Sequence, residues 1–210
     1  MIIKAISDTH NDHHHLDSKD LDCDVLIHCG DFGTKGNYGE AVRFFNWFVK
    51  QPSKYKIVVP GNHDSRSKTH PELLRLAYDY GIHFLMNESV EINDTLFHGC
   101  HYVPRVKDGE YVNDVEYRKE MWSSIPRGTS VLITHAPAYG ILDTNIDNVH
   151  LGCDQLLEKI NEYEIPYHFF GHLHEHAGKI VDTEFTTHYN CCQKNRLYTT
   201  TRFKSQEVNI

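Results

Sequence analysis

Five short apolar runs in this chain each stop, at their carboxyl end, in a segment carrying histidine, aspartate or asparagine. Ile2 to Ile6 ends in Ser7-Asp8-Thr9-His10, and Val25 to Ile27 in His28-Cys29-Gly30-Asp31. Ile57 to Val59 ends in Pro60-Gly61-Asn62-His63-Asp64, Val131 to Ile133 in Thr134-His135-Ala136-Pro137, and Tyr167 to Phe170 in Gly171-His172-Leu173-His174. Apolar runs of this length bounded by turn residues read as buried strands. Between them the period changes. Ala41, Phe44, Phe45, Phe48 and Val49 follow the stripe of a core-facing helix that ends before Pro52. Leu73, Leu74 and Ala77 mark a second helix after Pro71, closed by Gly81, and Cys153, Leu156, Leu157 and Ile160 mark the face of another. Alternating strands and helices predict an α/β architecture with mixed sheets.

The middle and the tail are less regular. Short strands are expected near His83 to Met86, Ser89 to Ile92 and Thr95 to His98, and Asn113 with Glu116 resembles a capping box that opens a short helix. From Lys179 onward the chain alternates like antiparallel strands, around Glu184 to His188 and Arg196 to Thr200. A length of 210 suits one domain over residues 1–210. The net charge of -8 repels phosphate backbones and argues against duplex nucleic acid as a partner. No run approaches the roughly 18 apolar residues of a membrane helix, and the amino terminus lacks the layout of a signal peptide, so the expected location is cytoplasmic, with no membrane partner. Six cysteines without a Cys-Xaa-Xaa-Cys pair read as reduced core thiols.

Seventeen histidines exceed what a core or an ordinary surface calls for. In α/β sheets the ligand site lies outside the carboxyl ends of the strands, so the five polar clusters can converge on one crevice. Asp8 and His10 are two apart, as are His172 and His174; in extended backbone leaving a strand, such positions point the same way. The donors are imidazole, carboxylate and amide oxygen without thiolate, which suits manganese first, with iron, zinc or nickel as other candidates. Seven ligands are too many for one tetrahedral ion. If Asp31 bridges with one oxygen to each of two ions, Asp8, His10 and His174 could complete one site and Asn62, His135 and His172 the other. Two divalent ions held in this way could generate a hydroxide near neutral pH and clamp a phosphoryl group for in-line attack.

These segments resemble the ordered motif set of the calcineurin-like metallophosphoesterase superfamily. The pattern Asp-Xaa-His, Gly-Asp, Gly-Asn-His-Asp, a later His and Gly-His-Xaa-His is matched from Asp8 to His174. The similarity is closer to the metallophosphoesterase-domain-containing subgroup, through Gly30-Asp31-Phe32, Phe44-Phe45-Asn46-Trp47, Thr134-His135-Ala136-Pro137, Gly140-Ile141-Leu142-Asp143 and Phe170-Gly171-His172-Leu173-His174-Glu175. The resemblance implies a four-layer α/β sandwich, two mixed β-sheets flanked by α-helices, with a dinuclear centre and phosphoester hydrolysis. It also implies that His63 is not a ligand but protonates the leaving oxygen, with Asp64 orienting it. Two departures stand out: Phe32-Gly33 follows Gly30-Asp31 where the protein-phosphatase branch has Asp-Arg, and no cap domain is present.

Other residues carry weaker expectations. Arg66, His101 and His150 are the candidates for substrate contact, and Phe32, Tyr102 and Tyr139 flank the motifs as core aromatics or stacking partners. His13, His14 and His15 are expected in a solvated loop, His176 next to the ligands or in solvent, and His70, His83 and His188 on surfaces or strand faces. The reading that follows is a phosphodiesterase on nucleotides or other small phosphoesters. The alternatives are a scaffold of the same fold that binds a protein partner, from which ligands should be missing, and a nuclease on single strands, which needs a basic groove.

Overall fold

The computed structural model describes residues 1–64, 70–104, 106–107, 110–111, 114–199 and 205–210. In chain order the elements are β1 (Ile2–Ile6), β2 (Cys23–His28), α1 (Tyr38–Phe48), β3 (Ser53–Val58), α2 (Pro71–Asp79), β4 (Ile82–Phe84), β5 (Glu88–Ile92) and β6 (Thr95–Cys100). They continue with the small hairpin β7 (Val106–Lys107) and β8 (Glu110–Tyr111), then α3 (Val115–Trp122), β9 (Val131–Thr134), α4 (Asp154–Tyr163), β10 (Tyr167–Phe170), β11 (Ile180–Asp182), β12 (Thr187–Asn190) and β13 (Gln206–Asn209).

The strands form two mixed sheets, in the orders β13-β1-β2-β3-β4 and β11-β12-β10-β9-β6-β5. Within the first, β1 to β4 run parallel and β13 antiparallel; within the second, β6, β9, β10 and β12 run parallel and the two edges antiparallel. Alternation of side chains along each strand separates three cores. Ile3, Ala5, Val25, Ile27, Ile57, Val131, Ile133 and Phe169 meet between the sheets. Ile6, Leu26 and Val58 turn outward onto Phe44, Phe45 and Phe48 of α1 and Leu73 and Ala77 of α2. Leu132 and Cys100 turn outward onto Trp122 of α3 and Leu156 and Ile160 of α4. The result is the expected four-layer sandwich of two mixed sheets flanked by helices.

Helix starts follow local chemistry. Asn37 and Glu40 form a reciprocal capping box at α1, and Pro71 opens α2. The cap of α3 is Asp114, which accepts from the amide of Tyr117, one residue later than the Asn113 expected from the sequence; Asn113 itself lies outside the described residues. The tail departs further. β12 pairs parallel with β10, only β11 pairs with it antiparallel, and residues 195–199 form a turn, not a strand. That turn is held by the Asn195 side chain, a local hydrogen-bonding option that apolar periodicity does not report.

One expectation about histidines is corrected and another is made specific. His13 begins a short 3-10 segment and is buried against Phe44 and Trp47, while His14 and His15 are exposed. His188 is fully buried in β12, where its Nδ1 lies 3.1 Å from that of His168. It therefore lies on a strand face, one of the two places expected for it, and a buried one.

Candidate metal centre

The parallel strands of both sheets deliver their carboxyl ends to one place. The Asp8 amide donates to Gly30 O at 2.9 Å, the Gly171 amide donates to His135 O at 2.9 Å, and Ser7 bridges to Cys192 across the sheets. This seam is tight enough that a Cβ on Gly171 would fall onto Ser7 Oγ and Asp8 Oδ2. Gly61 is held equally close to Asp31 and His135.

The donors do not converge through extended backbone, as the two-residue spacing suggested. Asp8, His10, Asp31 and His172 have φ of 53°, 43°, 56° and 69°, all left-handed. Such conformations are uncommon in residues other than glycine and cluster at functional sites. Here they turn each chain sharply back over the ends of the strands.

Asp8 is fully buried. Its Oδ2 accepts from Ser7 Oγ at 2.6 Å, from the His172 amide at 2.9 Å and from Cys192 Sγ at 3.2 Å. Its Oδ1 is a buried acceptor without a hydrogen-bond partner, 3.5 Å from His174 Nε2 and 3.8 Å from His10 Nε2. Those two nitrogens are 3.3 Å apart. His10 Nδ1 donates to Gly33 O at 3.1 Å, His174 Nδ1 to Lys194 O at 2.9 Å and His135 Nδ1 to Cys29 O at 2.8 Å. A carbonyl accepts only from N–H, so each bond commits the Nδ1 proton outward and turns Nε2 toward the centre, the orientation of a metal-ligating imidazole.

The second half is built on Asp31, whose Oδ2 lies 3.3 Å from His135 Nε2 and 4.0 Å from His10 Nε2. Asn62 Oδ1 is 3.1 Å from His135 Nε2, and the rings of His135 and His172 are 5.1 Å apart. Asp31 therefore does not offer one oxygen to each half. Its Oδ1 accepts the His63 amide at 2.8 Å, and the single Oδ2 faces both halves.

The electrostatics match this donor set. Burial works against an ionised Asp31, but His135, His10 and His63 outweigh it and hold the carboxyl well below its usual range. Burial likewise opposes charge on His135, yet Asp31 and Asp8 lift it to about 10; burial prevails at His172 and pushes it down to about 4. Two buried carboxylates thus demand positive charge among inward-facing nitrogens, and Asp8 Oδ1 has an unused lone pair. The donors fit a pair of divalent cations.

His63 sits at the rim, half-buried, with its ring edge-on to His10 at 5.1 Å. Its Nδ1 donates to Thr34 O at 2.8 Å, so a backbone carbonyl orients the ring, the role expected of Asp64. The Asp64 carboxylate instead accepts the amides of Asp31 at 2.8 Å, Gly61 at 2.9 Å and Gly33 at 3.1 Å, fixing the two loops to each other. Burial, reinforced by Asp31, pushes it up to about 8.

The expected substrate contacts are more scattered. Arg66 lies outside the described residues. His101 follows β6, half-buried. His150 pairs through Nδ1 with buried Asp143 at 2.8 Å and leans on Tyr139, with centroids 4.8 Å apart. His176 Nε2 reaches Thr144 at 3.0 Å. Phe32 is core, stacked on Phe44 at 4.6 Å, and Tyr102 packs on Trp122. Two neighbours of the centre escaped sequence reasoning. Cys192 forms a group with Asp8 and His174 whose donor atoms lie within 4.8 Å of one another, so a thiol stands beside a site expected to have none. Tyr198 packs on His174 and His10. Neither belongs to a spaced motif.

A two-sheet sandwich with paired nitrogen and oxygen donors at its joined strand ends defines the metal-dependent phosphoesterase class of fold. The profile of the calcineurin-like phosphoesterase family matches residues 1–176, and the chain belongs to that family. It is 34% identical over 207 residues to UPF0046 protein K07C11.7 of Caenorhabditis elegans, covering 92% of this chain and 70% of that protein. It is 31% identical over 192 residues to metallophosphoesterase domain-containing protein 1 of Homo sapiens, covering 80% of this chain and 59% of that protein. The chain thus spans only part of the length of these relatives. Among solved structures, phosphopantetheinyl hydrolase from Mycobacterium tuberculosis superposes with a TM-score of 0.67 at 13% identity, over 98% of this chain and 95% of that one, a likeness of fold alone.

Proposed function

We propose that the protein is a metal-dependent phosphodiesterase acting on nucleotides or other small phosphoesters. The observation that carries this reading is the pair of half-sites sharing Asp31 Oδ2, with the unpartnered Asp8 Oδ1 facing one of them. In it, Asp8, His10, His174 and Asp31 would hold one divalent ion and Asp31, Asn62, His135 and His172 the other, manganese being the first candidate. Such a pair supplies Lewis acidity at the phosphoryl oxygens and a nucleophilic water that ionises near neutral pH.

The remaining work falls to side chains of the chain itself. Because His63 Nδ1 is committed to Thr34 O, the second proton of a charged ring resides on Nε2, free to pass to a leaving oxygen at the rim. Asn62 is exposed and presents its amide toward an incoming ester. His150, braced by Asp143, and His101 and Arg66 remain the candidates for contact with the rest of the substrate. A diester carries one negative charge at phosphorus and a monoester two near neutral pH, so the few cations around the site among the described residues favour the diester. Lys194, next to the centre through its carbonyl, spends its ammonium on Asp12 at 2.6 Å. Six free cysteines, and no helix among the described residues long and apolar enough to cross a membrane, support a cytoplasmic setting.

The test is kcat/KM of the manganese-loaded protein for bis(p-nitrophenyl) phosphate beside p-nitrophenyl phosphate, then for a cyclic nucleotide beside its linear monophosphate. The diester is expected to be preferred in both pairs. Preference for the monoester in both overturns the diesterase assignment.

A further inference from the structure

Tyr198 lies outside every motif of the sequence, yet its ring covers two of the donors. Its centroid stands 4.7 Å from that of His174 and 5.5 Å from that of His10, at interplanar angles of 43° and 59°. At the same time 56% of the residue is open to solvent, and its neighbour Leu197 is 71% exposed. An aromatic ring that merely closed a core would be covered on both faces.

The backbone that carries the ring is also held in place. Asn195 Oδ1 accepts from the Leu197 amide at 2.9 Å, the Thr199 amide at 3.3 Å and Thr199 Oγ1 at 2.9 Å, while the Tyr198 amide donates to Asn195 O at 2.8 Å. Tyr198 adopts a φ of 55°, a left-handed conformation that a bulky side chain rarely takes. The base of the turn is tied to the centre twice, by Lys194 O to His174 Nδ1 and by Lys194 Nζ to Asp12. That backbone is therefore anchored beside the Asp8, His10 and His174 half-site, with the ring itself against His174 and His10, and His63 flanks His10 as well.

We infer that Tyr198 is a specificity-determining wall: its exposed face stacks a flat aromatic or heteroaromatic group of the ester while the phosphoryl group engages the half-site beneath. This rests on the phosphoesterase reading above. Aromatic faces stack flat rings with little regard to their hydrogen-bonding pattern, so the wall selects for flatness and not for one base. Stacking uses the ring and not the phenol hydroxyl, so phenylalanine should replace it and alanine should not.

The test compares phenylphosphonate with methylphosphonate, two non-hydrolysable probes sharing one anionic head, binding to the manganese-loaded protein by calorimetry. The wild type and Tyr198→Phe are expected to bind phenylphosphonate about tenfold more tightly than methylphosphonate, the fold-change of one good aromatic stack. Tyr198→Ala is expected to bind the two alike, with its metal content and its methylphosphonate affinity unchanged. Equal binding of the probes by the wild type, or an undiminished preference in Tyr198→Ala, overturns the wall and leaves the phosphoesterase reading standing. Failure of both probes to bind the loaded wild type overturns the wall, while the ester pairs above decide the phosphoesterase reading separately.

Discussion

His63 is set apart from its neighbours by its place at the rim. His10, His135 and His174 are buried with Nε2 turned to the centre, whereas His63 is half-exposed at the rim and its ring meets the centre only edge-on, against His10. His63→Ala is therefore expected to keep its metal content and lose roughly a hundredfold or more in kcat on esters with poor leaving groups, with a smaller loss on activated aryl esters, whose leaving oxygen needs no proton. Steady-state rates on the two ester types, with metal quantified alongside, check this; loss of metal would make His63 a ligand. At this scale the identities of the clustered residues were legible in order along the chain, but the means of convergence was not. Left-handed Asp8, His10, Asp31 and His172 are side-chain-bearing residues in a conformation that sequence assigns to glycine, so pattern alone points to extended backbone.

Among the elements, β9 and β10 are stapled by a buried polar chain. Thr134 Oγ1 donates to Ala136 O at 2.6 Å and so must accept from His168 Nε2 at 2.9 Å, leaving His168 Nδ1 to accept from His188 Nδ1 at 3.1 Å. The staple spans both sides of His135. Thr134→Val leaves the His168 N–H buried and unpartnered, and is expected to cost about 1–3 kcal/mol in urea unfolding; a change below about 0.5 kcal/mol would mean that the chain of bonds is dispensable. Strands β1 and β10 were legible as short apolar runs because both of their faces are buried, and the apolar faces of α1 and α4 because burial on one side imprints a period on the sequence. The partition of strand residues between three cores was not, since Val131-Leu132-Ile133 reads as one apolar run although Leu132 faces α4 and its neighbours face the other sheet. The burial of His188 was not legible for the same reason: a polar residue buried by a hydrogen-bonded partner leaves no apolar mark.

For the whole molecule, buried neutral histidines set the response to acid. Burial pushes His98 and His188 down to about 4 each, and His13 likewise, while the unfolded chain protonates histidine near 6.5. Between about 4 and 6.5 the unfolded state thus binds more protons than the folded one, so stability rises with pH across that window and is lost as pH falls through it. Two groups act in the opposite sense: His135, lifted to about 10, loses its contribution as pH rises above 6.5, and Asp64, raised to about 8, loses its own between about 4 and 8. With three such histidines against one Asp64, the unfolding free energy of the metal-free protein is expected to fall by a few kcal/mol between pH 7 and pH 5, read as a lower urea midpoint; a flat midpoint would contradict this account. The centre itself rests on one atom, Asp31 Oδ2, facing both half-sites. Its direct measurement is the metal content of protein saturated with manganese, by elemental analysis, for the wild type and Asp31→Asn. Two ions per chain in the wild type, with both sites weakened together in the variant, is the expected result; one ion or none in the saturated wild type would contradict the shared-carboxylate centre.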